Sequence, residues 1–366
     1  MSFFSDNDAY EAWLRGNCAA VEPDLEYKHE RMARDPFKFL RATFFRWAGT
    51  IEAICPALND APIVLSVGDM HAENFGTWRD AEGRLIWGVN DFDEAAFMPW
   101  PFDLVRLATS IRLAPDPAVG NRVAAEALLH GYRRGLRDPR PTLLDENETW
   151  MRRFVVCSNA GRHRFWDEIG RLPRLSGPPP GPVRHALTRA LPKQAAIVHF
   201  ATRRAGGGSL GRPRFVVIAV WRGGQVVREA KALLPSAWDW AHGRADMPIR
   251  FGDLAFGTYR APEPYLALRE GYLVRRLAAD SRKVDLTQLR HAGLTERLLE
   301  AMGFDIGAIH AAGSERGQIR DDLETRPANW LREAAHDAAA FVREDFQTWK
   351  GRGSPPFGVP PAGCLS

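Results

Sequence analysis

Two acidic clusters joined by one β-hairpin constrain this chain more than any other feature. They are Gly68-Asp69-Met70-His71-Ala72-Glu73-Asn74 and Asn90-Asp91-Phe92-Asp93. Between them, Phe75 to Trp78 and Arg84 to Val89 read as strands, and Asp80-Ala81-Glu82-Gly83 reads as their turn. A hairpin returns its two ends to one place, so the clusters must lie side by side. A short apolar strand, Ile63 to Val67, leads in, and Phe102-Asp103-Leu104 opens a helix beyond. Any fold for this chain must bury the hairpin and leave its open, carboxylate-bearing end usable. Such an end can hold a divalent cation beside a further carboxylate.

The chain has 366 residues and is 45% hydrophobic, enough for two lobes around a sizeable core. The net charge of +4 comes with 45 acidic residues, so charge alone implies no nucleic-acid partner. The basic residues are nearly all arginine. Lys28, Lys38, Lys193, Lys231, Lys283 and Lys350 are the lysines, so a lysine at a special position stands out. Cys18, Cys55, Cys157 and Cys364 form no CxxC and no zinc spacing, which points to a reducing, cytoplasmic compartment. The N-terminus lacks a basic start and an apolar stretch, so it does not read as a signal peptide. The strongly apolar run Phe215 to Trp221 is too short to span a bilayer, so no membrane partner is expected.

Helical spacing governs the first sixty residues, with Pro36 breaking or starting a helix between Tyr27 and Ile54. Helices are expected again from Asp103 to Leu113 and from Ala118 to Leu136. The Pro/Gly stretch from Leu172 to Pro182 marks a boundary. Beyond it, Phe215 to Val220, Gln225 to Ala230 and Tyr272 to Leu277 read as strands. The expected organisation is a large helical lobe from residues 1–175, a linker at 176–194, a small β lobe at 195–284, the rest of the large lobe at 285–350, and a disordered tail at 351–366.

Phosphoryl transfer needs a carboxylate to take the acceptor's proton and oxygen ligands for Mg²⁺. Kinases supply an Asp, an Asn five residues later, and a second Asp after a hairpin. Asp69, Asn74 and Asp91 follow that order, and Asp93 is expected to assist Asn74 and Asp91 in holding metal. GDMHAENFG resembles the Gly-Asp-x-His-x-x-Asn loop of aminoglycoside and choline kinases. VNDFDEA and PFDL resemble their metal-binding and helix-start aspartates. The resemblance implies support roles for His71 and Asp103. It departs at Val67, where those enzymes usually carry His.

An ordinary kinase places its nucleotide lobe first, but only 68 residues precede Asp69 and none forms a glycine loop. The missing parts come later. Gly206-Gly207-Gly208-Ser209-Leu210-Gly211 matches G-x-G-x-x-G and is followed by strand, turn and strand ending in Lys231. Gly206, Gly208, Ser209 and Gly211 are expected to cover phosphates, and Lys231 to bind them. Asp253 is the expected acidic partner of Lys231. Leu273 to Ala278 is expected to be the last strand and hinge. His310, in AMGFDIGAIHAAG, is expected to pack or cap rather than react.

This is a kinase order cut before the catalytic loop and rejoined, and termini that lie close permit such a permutation. The arrangement, with GDMHAENFG, GGGSLGR and VREAKALLPSAW, resembles the bacterial domain of unknown function 2252 family over roughly residues 25 to 350. The fold class expected is therefore α+β, a two-lobed protein-kinase-like fold, circularly permuted. The expected function is an ATP- and Mg²⁺-dependent phosphotransferase acting on an unidentified small-molecule or protein hydroxyl. A nucleotide-binding pseudokinase is the alternative. A metal-dependent phosphoesterase is a third reading, resting on Asp69-Met70-His71.

Overall fold

Short helices with local caps build the N-terminal region. The structure is a computed structural model and describes residues 2–115, 119–282 and 294–351. Helix α1 (Phe3–Asn17) starts at Ser2, whose hydroxyl accepts the Ser5 N–H, and α2 (Glu22–Met32) follows. Asp35 caps α3 (Pro36–Ala42) by accepting the Lys38 N–H, and Pro36 opens that helix where its missing N–H is no loss. Two short helices, α4 (Phe44–Ala48) and α5 (Ile51–Ile54), complete the region.

Strand β1 (Ile63–Ser66) leads to the hairpin β2 (Phe75–Arg79) and β3 (Leu85–Val89), in which Phe75 pairs with Val89. β4 (Ala96–Pro99), which sequence patterning does not reveal, returns antiparallel to β1 with Ser66 opposite Ala96. That pairing brings the second acidic cluster back beside the first. α6 (Pro101–Leu113) and α7 (Asn121–Arg137) follow, and β5 (Thr142–Leu143) extends the hairpin along β3.

After α8 (Arg152–Val155) come α9 (Asn159–Gly170) and α10 (Gly181–Arg189). The expected linker at 176–194 therefore contains a helix, with Pro182 in its first turn, where proline is tolerated. An antiparallel five-stranded sheet then forms from β6 (Ala196–Thr202), β7 (Arg214–Trp221), β8 (Gly224–Ala232), β9 (Ala267–Arg269) and β10 (Tyr272–Leu277), in the order β6-β7-β8-β10-β9. α10 covers one face, packing Val183, Ala186 and Leu187 against Val217, Ala230 and Val274. Ile169 of α9 packs on the other face against Ala201, Val216, Ile218 and Val227. Two short helices, α11 (Ala237–Ala241) and α12 (Phe251–Ala255), lie between β8 and β9.

The chain closes with α13 (Thr295–His310), α14 (Arg316–Thr325) and α15 (Trp330–Gly351). α13 crosses α7 at backbone contact. A Cβ at Gly131 would lie 1.8 Å from the Glu300 carbonyl oxygen, and one at Gly303 would lie 2.1 Å from that of Leu128. The main core joins these late helices to the first hundred residues; Leu331 and Ala338 share it with Phe39 and Trp47. The tail expected to be disordered lies outside the described residues, apart from Gly351.

Candidate active site

The Asp69 loop is shaped by a residue that does not touch the cavity. Asp103, fully buried at the start of α6, accepts the Val67 N–H at 2.8 Å and the Gly68 N–H at 2.9 Å. His310 Nε2 lies 3.2 Å from the same carboxylate, and the Tyr132 hydroxyl lies 2.9 Å from His310 Nδ1. Gly68 has φ of +87°, and a Cβ there would meet the Glu94 carbonyl oxygen at 2.2 Å, so the turn requires glycine. The Asn74 amide donates to the backbone carbonyls of Asp69 and Asp91, both at 3.2 Å. One side chain thus ties the two acidic loops together. His71 is buried nearby, and its Nδ1 accepts the Glu73 N–H at 3.2 Å.

The Asp91 loop is braced from α13. Asp305 accepts the Val89 N–H at 2.7 Å and pairs with Arg260 at 2.9 Å, while Arg260 also donates to the Val89 carbonyl at 2.6 Å. Sequence reasoning misses this brace, because Asp305 is 216 residues from Val89 and looks like one more helical acid.

Lys231 lies 3.2 Å from Asp91 and 2.5 Å from Asp93. Asp253 is not its partner. It sits on α12, which buries Phe251, Leu254 and Ala255 and turns Asp253 outward to pair with Arg250 at 3.1 Å. Lys231 is itself buried beneath the two aspartates and does not line the cavity above them. The acid next to it in the strand, Glu229, gathers three guanidinium groups instead. Arg203 lies at 2.6 Å, Arg275 at 2.7 Å and Arg214 at 3.2 Å. Strand register explains the grouping, since Arg214 pairs with Lys231 and Arg275 with Glu229, placing all four on one sheet face.

These groups meet at a cavity of about 440 Å³ between the sheet and the helical part. Asp69, Asn74, Asp91, Arg214 and Arg275 line its polar side. Phe165, Ile169, Leu172 and Leu277, which pack together beside the sheet, line an apolar side. The expected hinge thus ends in the cavity wall at Leu277 and Ala278. Gly206 to Ser209 form part of the wall, and a Cβ at Gly208 would lie 3.2 Å from Asp69 Oδ2. Ser209 accepts a hydrogen bond from Arg214 at 2.6 Å. Gly211 lies outside the wall; its carbonyl accepts the Val21 N–H at 2.9 Å.

Electrostatics separate the three aspartates. Burial raises the Asp69 carboxyl above its ordinary range, although Arg106 donates to its Oδ1 at 2.9 and 2.5 Å. Arg106 is a further site residue that the sequence does not flag. It is fully buried on α6, stacks on Phe44 and Trp47, and fixes how Asp69 points. Burial also pushes Asp91 up, but Lys231, Asp93, Arg275 and Arg214 together hold it well below the usual carboxylate range. Asp93 is raised by burial and by the adjacent Asp91 charge.

Asp93 Oδ1 is buried with no hydrogen-bond partner, beside the half-exposed Asp91. A carboxylate pair with an unmet oxygen suits a small hard cation that completes its shell with phosphate oxygens and water. Among the described residues, no group of three or more His, Cys, Asp or Glu forms an all-protein metal cage. Asp91 and Asp93 are the residues of the site that could hold such a cation.

Fold and site together define an α+β protein whose carboxylate loops face an arginine-lined sheet across a cleft. Residues 21–164 match the model of a family described as an uncharacterized protein conserved in bacteria (DUF2252). The matched segment carries Asp69, Asn74, Asp91, Asp103 and Arg106, and ends before the glycine loop and Lys231. No curated protein and no solved structure matches the chain. No helix among the described residues is long and apolar enough to cross a membrane.

Proposed function

We propose that this protein is an ATP- and Mg²⁺-dependent phosphotransferase with a circularly permuted, kinase-like fold. The observation that carries the reading is the meeting of Asp69, Asn74 and Asp91 with Gly206–Ser209, Arg214 and Arg275 in one cavity, although more than a hundred residues separate the two sets. The α13 braces support the permutation. Asp305 and His310 hold the two acidic loops from a helix more than two hundred residues away in sequence. A helix that leads into such a loop in an unpermuted chain would do the same.

On this reading the apolar side takes the base and the guanidinium groups of Arg214 and Arg275 take the phosphates. Asn74, Asp91 and Asp93 would hold Mg²⁺, which supplies charge neutralisation on the phosphate oxygens. Lys231 keeps the two aspartates together from below. Asp69, held by Arg106, orients the acceptor hydroxyl and takes its proton as the oxygen bonds to the γ-phosphorus and ADP leaves. Its raised proton affinity favours that step over an ordinary surface aspartate. Positioning and fixed charge supply the catalysis.

Purified protein given Mg-ATP and pooled hydroxyl acceptors should transfer phosphate. Asp69→Asn should abolish transfer and keep nucleotide binding. Equal turnover in wild type and Asp69→Asn would overturn the proposal. One observation favours a second reading, a nucleotide-binding regulatory module: Arg106 occupies Asp69 Oδ1, and Gly208 closes on Oδ2. That reading predicts nucleotide binding without turnover.

A further inference from the structure

Behind the glycine loop lies a second pocket of about 10 Å³, room for a single oxygen atom. Lys28, Arg31, Lys38 and Arg41 surround it, with Gly207 and Leu210 of the loop. Three of these cations already have partners. Lys38 pairs with Asp35 at 2.5 Å, Arg41 with Glu73 at 2.7 Å, and Arg31 donates to the Gly206 carbonyl at 2.9 Å.

Lys28 is different. It is 1% exposed, and its ammonium makes no hydrogen bond or ion pair among the described residues. It lies over the rings of Tyr10 and Phe45, at 5.7 and 5.6 Å from their centres. The carboxylates of Glu11, Glu94 and Asp69 offset its charge only from beyond ion-pair distance, so burying the ammonium weakens the fold, and methionine would fill the same space without that cost. Costs of this kind persist where a site uses the charge.

Arg41, Ala42 and Gly207 line both this pocket and the main cavity. Arg41 also carries the backbone oxygen that lies under Gly208, next to Asp69 Oδ2. The pocket therefore adjoins Asp69 rather than the apolar side of the cleft.

We propose that the pocket is an oxyanion subsite, in which Lys28 and Arg41 receive one oxygen of a phosphate or carboxylate group. On the phosphotransfer reading, on which this part rests, that group belongs to the acceptor whose hydroxyl meets Asp69. The substrate class is then an anionic, hydroxyl-bearing compound.

The test is calorimetric titration of the full chain with inorganic phosphate, with acetate in a parallel arm, and with ADP as reference. Wild type should bind phosphate saturably. Lys28→Met should weaken that binding by at least about tenfold, keep ADP binding within about twofold, and melt no lower than wild type. Lys38→Ala, at the half-buried rim, should weaken phosphate by about threefold. Arg275→Met should leave phosphate binding within about twofold. Stronger binding of acetate than phosphate would assign the subsite to a carboxylate, and the reverse to a phosphate. Equal phosphate affinity in wild type and Lys28→Met would overturn the proposal. So would loss of phosphate binding in Arg275→Met alone, which would place the ion at the nucleotide phosphates, or no binding by wild type. The phosphate titration involves no turnover. A chain that binds phosphate through Lys28 but transfers no phosphoryl group from ATP to any acceptor would refute the kinase reading and leave the subsite standing.

Discussion

Asp103→Asn tests how the Asp69 loop is held. The carboxylate is fully buried and accepts two backbone N–H groups, at 2.8 and 2.9 Å. Asparagine has the same shape but one acceptor oxygen, so one N–H faces an amide NH₂ instead. A hydrogen bond to a charged acceptor contributes about 1.5–3 kcal/mol, and a buried donor left unmet costs about 1–3 kcal/mol. The two overlap, and about 3 kcal/mol is the expected loss. Unfolding entropy of about 2.1 cal/mol/K per residue gives roughly 0.8 kcal/mol/K for a chain of this size, so Tm should fall by about 4 °C. Asp253→Asn is the matched comparison. Its carboxylate is half-exposed and pairs only with Arg250, so the change should stay within about 0.5 kcal/mol. Scanning calorimetry reads both. Melting of Asp103→Asn within about 1 °C of wild type, or an equal loss in the two variants, would refute this role for Asp103.

Other consequences follow from single contacts. Burial raises the Glu94 carboxyl to about 7 despite Arg212 at 2.7 Å. An acid raised on folding stabilises the fold below its unfolded pKa, and that contribution is lost as pH rises through about 7. Glu94→Gln should therefore gain stability relative to wild type between pH 5 and pH 8, as measured by melting at both; a constant difference would count against it. Gly131→Ala should cost at least about 3 kcal/mol in urea denaturation, because its Cβ would meet the Glu300 carbonyl at 1.8 Å. Gly317→Ala, in α14 with open space around it, should instead stabilise by about 0.5–1 kcal/mol. Arg275→Met should weaken ADP binding by about 10–100-fold by calorimetry, since it removes a cavity-lining guanidinium and leaves Glu229 with Arg203 and Arg214.

What the sequence made legible is what is close in sequence. Asp69, Asn74 and Asp91 could be placed together because one hairpin with a visible turn joins them, and Asp103 because it opens the next helix. The sheet's three apolar strands were readable for the same reason. β4 and β9 were not, since strands of four and three residues at sheet edges carry little periodicity. The α10 helix was hidden by prolines that read as a boundary, although Pro180 is its N-cap and Pro182 sits in its first turn. The partners of charged groups were least legible. Asp253 has a plausible position in sequence, but its helix turns it to solvent, and Lys231 meets Asp91, 140 residues earlier, and its neighbour Asp93. Arg106, Asp305 and the arginines around Glu229 look like ordinary members of an arginine-rich chain until the fold brings them to the cleft.

Calorimetric binding of ADP, with and without Mg²⁺, to wild type and to Asp91→Ala tests most directly whether the cleft is a magnesium-nucleotide site. Wild type should bind ADP, Mg²⁺ should tighten this by about tenfold or more, and Asp91→Ala should keep weak ADP binding and lose the Mg²⁺ effect. Absence of ADP binding at millimolar concentration, or a Mg²⁺ effect of equal size in both proteins, would contradict such a site.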